Sequence, residues 1–334
     1  MQRHHAITDI PGIKVGHASD FKALTGCTVI LCEDGAAGGV DIRGTAAGTR
    51  QIDALTPLHL VDKVHAILLA GGSAFGLDAA GGVMAYLEEK GKGFDVIKTK
   101  IPIVPAAIIF DLGLGDHRVR PDHKMGYEAC LNSSKKVGEG SVGVGTGATV
   151  GKLFGMERAM KGGLGTSSVR GPAGLIVGAL VVVNAFGDVH DLAGNLILAG
   201  ARKSKTSRQM ADSSKWMKRG ITRKQFGPDE ASDSASFNTT LGVVATNASL
   251  TKKEAQQVAQ IVHSGLAKII SPLHSTFDGD LIFTLSLGRT KADVNTIGLL
   301  GEEALIESVR RAVIQADGFG VIPAYRDLIV KDER

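Results

Sequence analysis

From Leu175 to Val183 the chain is an unbroken apolar run, and no other stretch limits the fold as strongly. A run of that length, rich in valine, marks a strand covered on both faces. Ala66-Ile-Leu-Leu-Ala70 reads the same way, and shorter strands are expected at Ile13-Lys-Val15, Cys27-Thr-Val-Ile-Leu-Cys32, Leu241–Thr246 and Leu281–Ser286. Four helices are predicted between them. Ser73 is a suitable N-cap for one over about 74–90, with Gly91 ending it, and residues 124–137 carry a second. Thr251-Lys-Lys-Glu254 is a capping box; beyond it Ala255, Val258, Ala259, Val262, Leu266 and Ile269 line one face until Pro272. The last helix runs over about 294–316.

Glycine is abundant, at 44 residues against 4 % aromatics, which favours tight turns and close backbone approaches over an aromatic-lined groove. Arg43, in one glycine-rich stretch, suits either a carboxylate or the bracing of a loop. A net charge of +4 without stripes of Lys and Arg among aromatics argues against nucleic acid as a partner. Residues 175–186 contain Gly178 and Asn184 and are too short to span a bilayer, and the first residues lack a signal-peptide core. Cys27 and Cys32, five apart on one strand, face opposite ways, so a reduced compartment, the cytoplasm, is the simpler inference. None of the ten histidines has a metal-binding spacing, so no metal is expected.

No cofactor is expected either. Gly138-Glu-Gly-Ser-Val-Gly143 matches a dinucleotide fingerprint literally, but it follows a helical pattern and lacks an acidic residue at the ribose distance. Gly151-Lys152 is not a phosphate-binding loop: Thr146 stands where the first glycine belongs, and Leu153 follows the lysine. Lys152 closes a glycine-rich strand pattern from Val142, where a lysine ordinarily points into solvent. At Gly71-Gly-Ser-Ala-Phe75 the serine-hydrolase elbow fails because Phe75 replaces its last glycine. An anion site on the backbone N–H groups near Gly72 and Ser73 stays open there, beside the plainer reading of a packed turn.

The chemistry turns on Asn238-Thr239. Residues 201–236 lose all periodicity, and so long a connection is commonly functional. It delivers Asn238-Thr239-Thr240 to the start of an apolar strand. A threonine hydroxyl needs a base, and its own α-amine, with an ordinary pKa near ~7.7–8.0, is a compact one. That amine exists only if the Asn238–Thr239 bond is cut. Taken alone, these residues favour the plainer reading, a hydroxyl-rich strand start.

Collected in order, Asp41-Ile-Arg-Gly44, Ala70-Gly-Gly-Ser-Ala-Phe-Gly-Leu77, Ile109-Phe-Asp-Leu112, Val182-Val-Asn184, Asn238-Thr-Thr240 and Phe277-Asp-Gly-Asp280 resemble the DmpA-type aminopeptidases of peptidase family S58. That family also includes β-peptidyl aminopeptidases and 6-aminohexanoate-oligomer hydrolases. The resemblance implies an α+β fold, a four-layer αββα sandwich similar to the N-terminal-nucleophile hydrolases but differently connected. It implies a single domain, 1–334, that cuts itself into 1–238 and 239–334 with a flexible segment at about 201–238, and homo-oligomers, often tetramers of the paired fragments. Thr239 matches the nucleophile, Asn184 the oxyanion-side amide, Lys152 the active-site lysine, and Asp278 with Asp280 the acidic pair. Phe110 stands where some members carry a tyrosine, which removes a polar anchor for substrate.

The function expected is hydrolysis of short peptides or of aminoacyl, β-aminoacyl or aminohexanoate amides. Acyl transfer of the ornithine acetyltransferase type and an inactive binding scaffold are the alternatives. The intact set Lys152, Asn184, Thr239, Asp278 and Asp280 argues against the scaffold.

Overall fold

One long strand belongs to two sheets, and the layering follows from it. The computed structural model describes residues 5–194, 196–222 and 238–328. Its main strands are β1 (Lys14–Asp20), β2 (Thr25–Ile42), β3 (Thr49–Arg50), β4 (Val64–Ala70), β5 (Ala106–Ile108), β6 (Gly163–Arg170), β7 (Ile176–Asn184), β8 (Thr239–Ala248) and β9 (Leu281–Thr290). The long helices are α1 (Ala79–Glu89), α2 (His123–Leu131), α3 (Lys252–His263) and α4 (Val294–Ile314). The first half of β2 pairs with β1 and β4, and the sheet continues through β5 to β3. After a register shift between Leu31 and Ala36, the second half of β2 pairs with β9, and that sheet runs on through β8 and β7 to β6.

Side-chain alternation then fills three cores. Ile30, Ile67 and Leu69 meet Leu180, Val182, Val243 and Phe283 between the two sheets. Val29, Leu31 and Leu68 face outward, under Val83 and Leu87 of α1. Val181, Val183 and Val244 face the other way, under Val258 and Val262 of α3 and Leu305 and Val309 of α4. This is the expected αββα sandwich, and the apolar run of β7 is buried on both faces. Cys27 and Cys32 are free, buried and in different cores, on opposite faces of β2.

Several boundaries differ from expectation. The glycine-rich stretch after Cys32 is no loop: β2 continues through it to Ile42. Glycine is needed there because α3 crosses so closely that a Cβ on Gly39 would lie 2.3 Å from the backbone nitrogen of Gln256. Ser73 does not cap a helix. It adopts φ +54°, heads a 3₁₀ segment to Asp78, and α1 starts only at Ala79. α2 stops at Leu131, short of residue 137, because Ser134 exchanges backbone hydrogen bonds with Val15. α3 keeps its capping box but gives way to a 3₁₀ segment, Ser264–Lys268, before Pro272. The strand pattern ending at Lys152 is a 3₁₀ turn, Gly143–Thr146, and a two-residue strand, Thr149–Val150.

The connection after residue 200 is more ordered than its composition suggests. The buried carboxylate of Asp188 accepts hydrogen bonds from Ala201 N, Ser213 N and Ser213 Oγ, and Ser213–Met217 forms a helical turn. The rest of the expected flexible segment, 223–237, lies outside the described residues.

Candidate active site

β7 and β8 run antiparallel, and their register sets Asn184 directly opposite Thr239. The two sequence candidates, 55 positions apart in the chain by number, are thus paired by the sheet ladder itself. Both are buried. The Oδ1 of Asn184 accepts from Lys152 Nζ at 2.8 Å and from Thr149 N at 3.0 Å. Both partners only donate, so they fix which end of the amide is which. Its Nδ2 therefore points the other way and donates one hydrogen to the Phe110 carbonyl at 3.2 Å.

Lys152 is no solvent-facing lysine. It is fully buried, and its Nζ also donates to the Asn184 carbonyl at 3.1 Å. Burial of that kind is tolerated only where the ammonium is hydrogen-bonded, and here one asparagine supplies two acceptors.

On the other side, Asn238 bridges in parallel to Asp278. The hydroxyl of Thr239 donates to the carbonyl oxygen of Asn238 at 2.6 Å, and Gly279 N donates to the same oxygen at 2.9 Å. The Asn238–Thr239 peptide thus has the threonine oxygen and a backbone donor converging on its carbonyl. Only glycine fits at 279, since a Cβ there would lie 2.4 Å from the backbone of Ala46 and Ala47.

The two aspartates, expected as a matched pair, do different work. Asp280 Oδ1 accepts Thr240 N at 2.7 Å, directly beside the candidate nucleophile. Asp278 accepts from Phe186 N, Ser275 N and Ser275 Oγ, and so holds the turn. Burial, and then the neighbouring Asp280 charge, push the Asp278 carboxyl above its ordinary value. The pair therefore resists carrying two charges.

Near Gly72 and Ser73, where the sequence leaves an anion site open, two backbone N–H groups are engaged within the protein. Gly72 N is spent on Asp111 Oδ1 at 2.7 Å, and Ser73 N on the Ile109 carbonyl at 3.1 Å. The turn instead braces the strand end that presents Phe110, which is half-buried and offers its carbonyl to Asn184. Arg43 fulfils both of its readings, donating to Asp41 Oδ2 at 2.8 Å and to the Gln260 carbonyl at 3.2 Å.

Sequence reasoning missed Asp111, Gly279, Ser275 and His274. Asp111 takes a second hydrogen bond from Thr25 Oγ1 at 2.7 Å, and burial raises its carboxyl to about 6. The hydrogen bonds from Gly72 N and the Thr25 hydroxyl, and after them the buried Lys161 charge, limit that rise. Between the ordinary value and about 6 the folded chain holds a proton that the unfolded chain does not. Stability is therefore fully present below the ordinary value and declines as pH rises through about 6. Asp111→Asn keeps both hydrogen bonds, since the Thr25 hydroxyl can rotate to accept. Its unfolding free energy should match the wild type near pH 4 and exceed it increasingly towards pH 7, by up to about 3 kcal/mol. Melting curves across that range check this; a constant offset at every pH would contradict it.

Comparison with known proteins covers nearly the whole chain. The sequence model of peptidase family S58 matches residues 5–322. An uncharacterized aminopeptidase of Mycobacterium leprae is 37 % identical over 362 aligned positions, covering 96 % of this chain and 93 % of the relative. A 6-aminohexanoate-oligomer endohydrolase of Paenarthrobacter ureafaciens is 29 % identical, covering 91 % of this chain and 84 % of that one. Among solved structures, the L-aminopeptidase D-Ala-esterase/amidase of Ochrobactrum anthropi, described as a variant of the Ntn hydrolase fold, superposes with a TM-score of 0.69 at 17 % identity. It covers 97 % of this chain and 92 % of its own. Among the described residues, no helix is long and apolar enough to cross a membrane.

Proposed function

Because the chain belongs to peptidase family S58 and is an aminopeptidase-like hydrolase of peptide or amide bonds, we propose that Thr239 becomes its nucleophile after the chain cuts itself between Asn238 and Thr239. One observation carries this reading: the Thr239 hydroxyl and the Gly279 N–H converge on the Asn238 carbonyl oxygen, at 2.6 and 2.9 Å. In the first stage Thr239 Oγ1 attacks the Asn238 carbonyl carbon and gives up its proton. The C–N bond breaks, and the departing nitrogen gains a proton and becomes the α-amine of Thr239. Water then hydrolyses the resulting ester, freeing the Asn238 carboxylate and restoring the hydroxyl.

In turnover the freed amine takes the Thr239 hydroxyl proton as Oγ1 attacks a substrate amide, and passes it to the leaving amine. The acyl-threonine ester is released by water. Asn184 Nδ2, oriented by Lys152 and Thr149, has a second hydrogen for the oxyanion. The acidic pair, with Asp280 held against the backbone of Thr240, favours short amides with a free amino end.

A panel of p-nitroanilides with free and N-acetylated aminoacyl groups tests the substrate class on processed enzyme. Faster turnover of the free-amino members is expected. A preference for the acetylated ones would remove ammonium recognition while leaving amide hydrolysis in place.

A further inference from the structure

His274 lies in the turn between Pro272 and Asp278, and nothing in the chemistry above uses it. Its Nδ1 lies 2.8 Å from Asp280 Oδ2, and its backbone N donates to the same oxygen at 3.3 Å. The other oxygen of Asp280 receives Thr240 N. Asp280 is fully buried, so its orientation is set by these donors alone among the described residues. An ionised carboxylate only accepts, so the His274 proton facing it sits on Nδ1.

Behind His274 stands His263, at the end of α3, with ring centroids 4.7 Å apart and planes at 86°. His263 Nδ1 lies 2.8 Å from Asp41 Oδ2, which Arg43 also holds. The charged and titratable groups around His274 are thus Asp280 and Asp278 from its own loop and the start of β9, His263 from α3, and Asp41 with Arg43 from the end of β2. Burial disfavours a charge on His263, and a charge on His274 would disfavour it further. The Asp41-Ile-Arg-Gly44 stretch therefore reaches the site through two carboxylate–imidazole contacts whose rings meet edge to face.

We propose that His274 is a positioning residue for the nucleophile, acting through Asp280: its Nδ1–H holds one carboxylate oxygen so that the other fixes the backbone of Thr240 and, with it, Thr239. This rests on the reading of Thr239 as the nucleophile. The backbone of His274 supplies a clean test. Its φ is +53°, a conformation that glycine and asparagine adopt at least cost. His274→Gly removes the donor and keeps the turn. His274→Asn puts an amide N–H close to the position of Nδ1 but cannot titrate.

Steady-state kinetics over pH 5–9 should show kcat reduced roughly ten- to a hundredfold in His274→Gly, with KM changed less, as expected for losing a hydrogen bond to a buried charge. His274→Asn should recover most of that loss, with the acid limb of its kcat/KM profile displaced from the wild type. The same ranking is expected for the rate of self-cleavage, which serves as the readout if His274→Gly matures too slowly to assay. Wild-type kcat and pH profile in His274→Gly would overturn the proposal. So would a His274→Asn variant as impaired as His274→Gly, with both losing activity only in step with thermal stability. Thr239→Ala run alongside keeps the two readings apart. If it is active, the nucleophile assignment fails; if it is inactive while His274→Gly behaves as wild type, only the role of His274 fails.

Discussion

Thr239→Ala should emerge from purification as one uncut chain of 334 residues, with amidase activity lower by on the order of 10⁴-fold or more. The size of the effect follows from the nature of the loss. Without the hydroxyl no ester can form, at either the Asn238 carbonyl or a substrate carbonyl. Without the cut there is no α-amine to act as base. Thr240→Ala, one residue on, is the matched control. The Thr240 hydroxyl is buried without a side-chain partner among the described residues, and only its backbone N–H, which alanine retains, meets Asp280. Thr240→Ala should therefore still be cut into 1–238 and 239–334. Intact mass on fresh protein reads both outcomes. A wild-type protein that stays in one piece with full amidase activity would end the N-terminal-nucleophile reading.

Asn184→Asp should cost roughly 10²–10³ in kcat while leaving the fold in place, and this contrast separates donor from scaffold. The carboxylate keeps an acceptor for Lys152 Nζ and Thr149 N, which hold Oδ1 now. What it loses is the N–H pair on the other side, where an oxygen would face the Phe110 carbonyl and any developing oxyanion. Asn184→Ala should lose similar activity and stability as well, because the buried Lys152 ammonium is deprived of a side-chain acceptor. Parallel kcat and melting measurements distinguish the two variants. An aspartate variant with near-wild-type kcat would deny the amide its oxyanion role.

The sequence carried the layers of this fold better than its joints. The run at β7 demanded cover on both faces, and the alternation of Leu180 and Val182 against Val181 and Val183 supplies it. The capping box at Thr251 was legible because both halves of the motif are local. Ser73 misled for the converse reason. Its residue type suits an N-cap, but the tertiary bond from its backbone N to Ile109 pulls it out of helical geometry. Lys152 could not be seen as buried from sequence, since its acceptors are on Asn184, far along the chain. His274 belongs to no recognisable motif: Asp280 lies in the same loop, but the bend that joins the two and the approach of His263 are set by the fold. The family resemblance pairs Asp278 with Asp280, yet a single intervening glycine sends one to a turn and the other to the strand that Thr239 begins.

The position of β8 and β9 in their sheet has a consequence for the life history of the protein. Both strands come after residue 238, yet they are flanked by β7 on one side and by the second half of β2 on the other. A cut at Asn238 would turn an intramolecular inlay into a two-chain assembly whose smaller member occupies the middle of the sheet. Unfolding would then also be dissociation, and reassembly would become second order, slower the more dilute the protein. The uncut chain, by contrast, brings β8 to β7 at the entropic cost of one loop. The molecule would thus spend its connectivity once, during folding, and afterwards persist because the way back is slow.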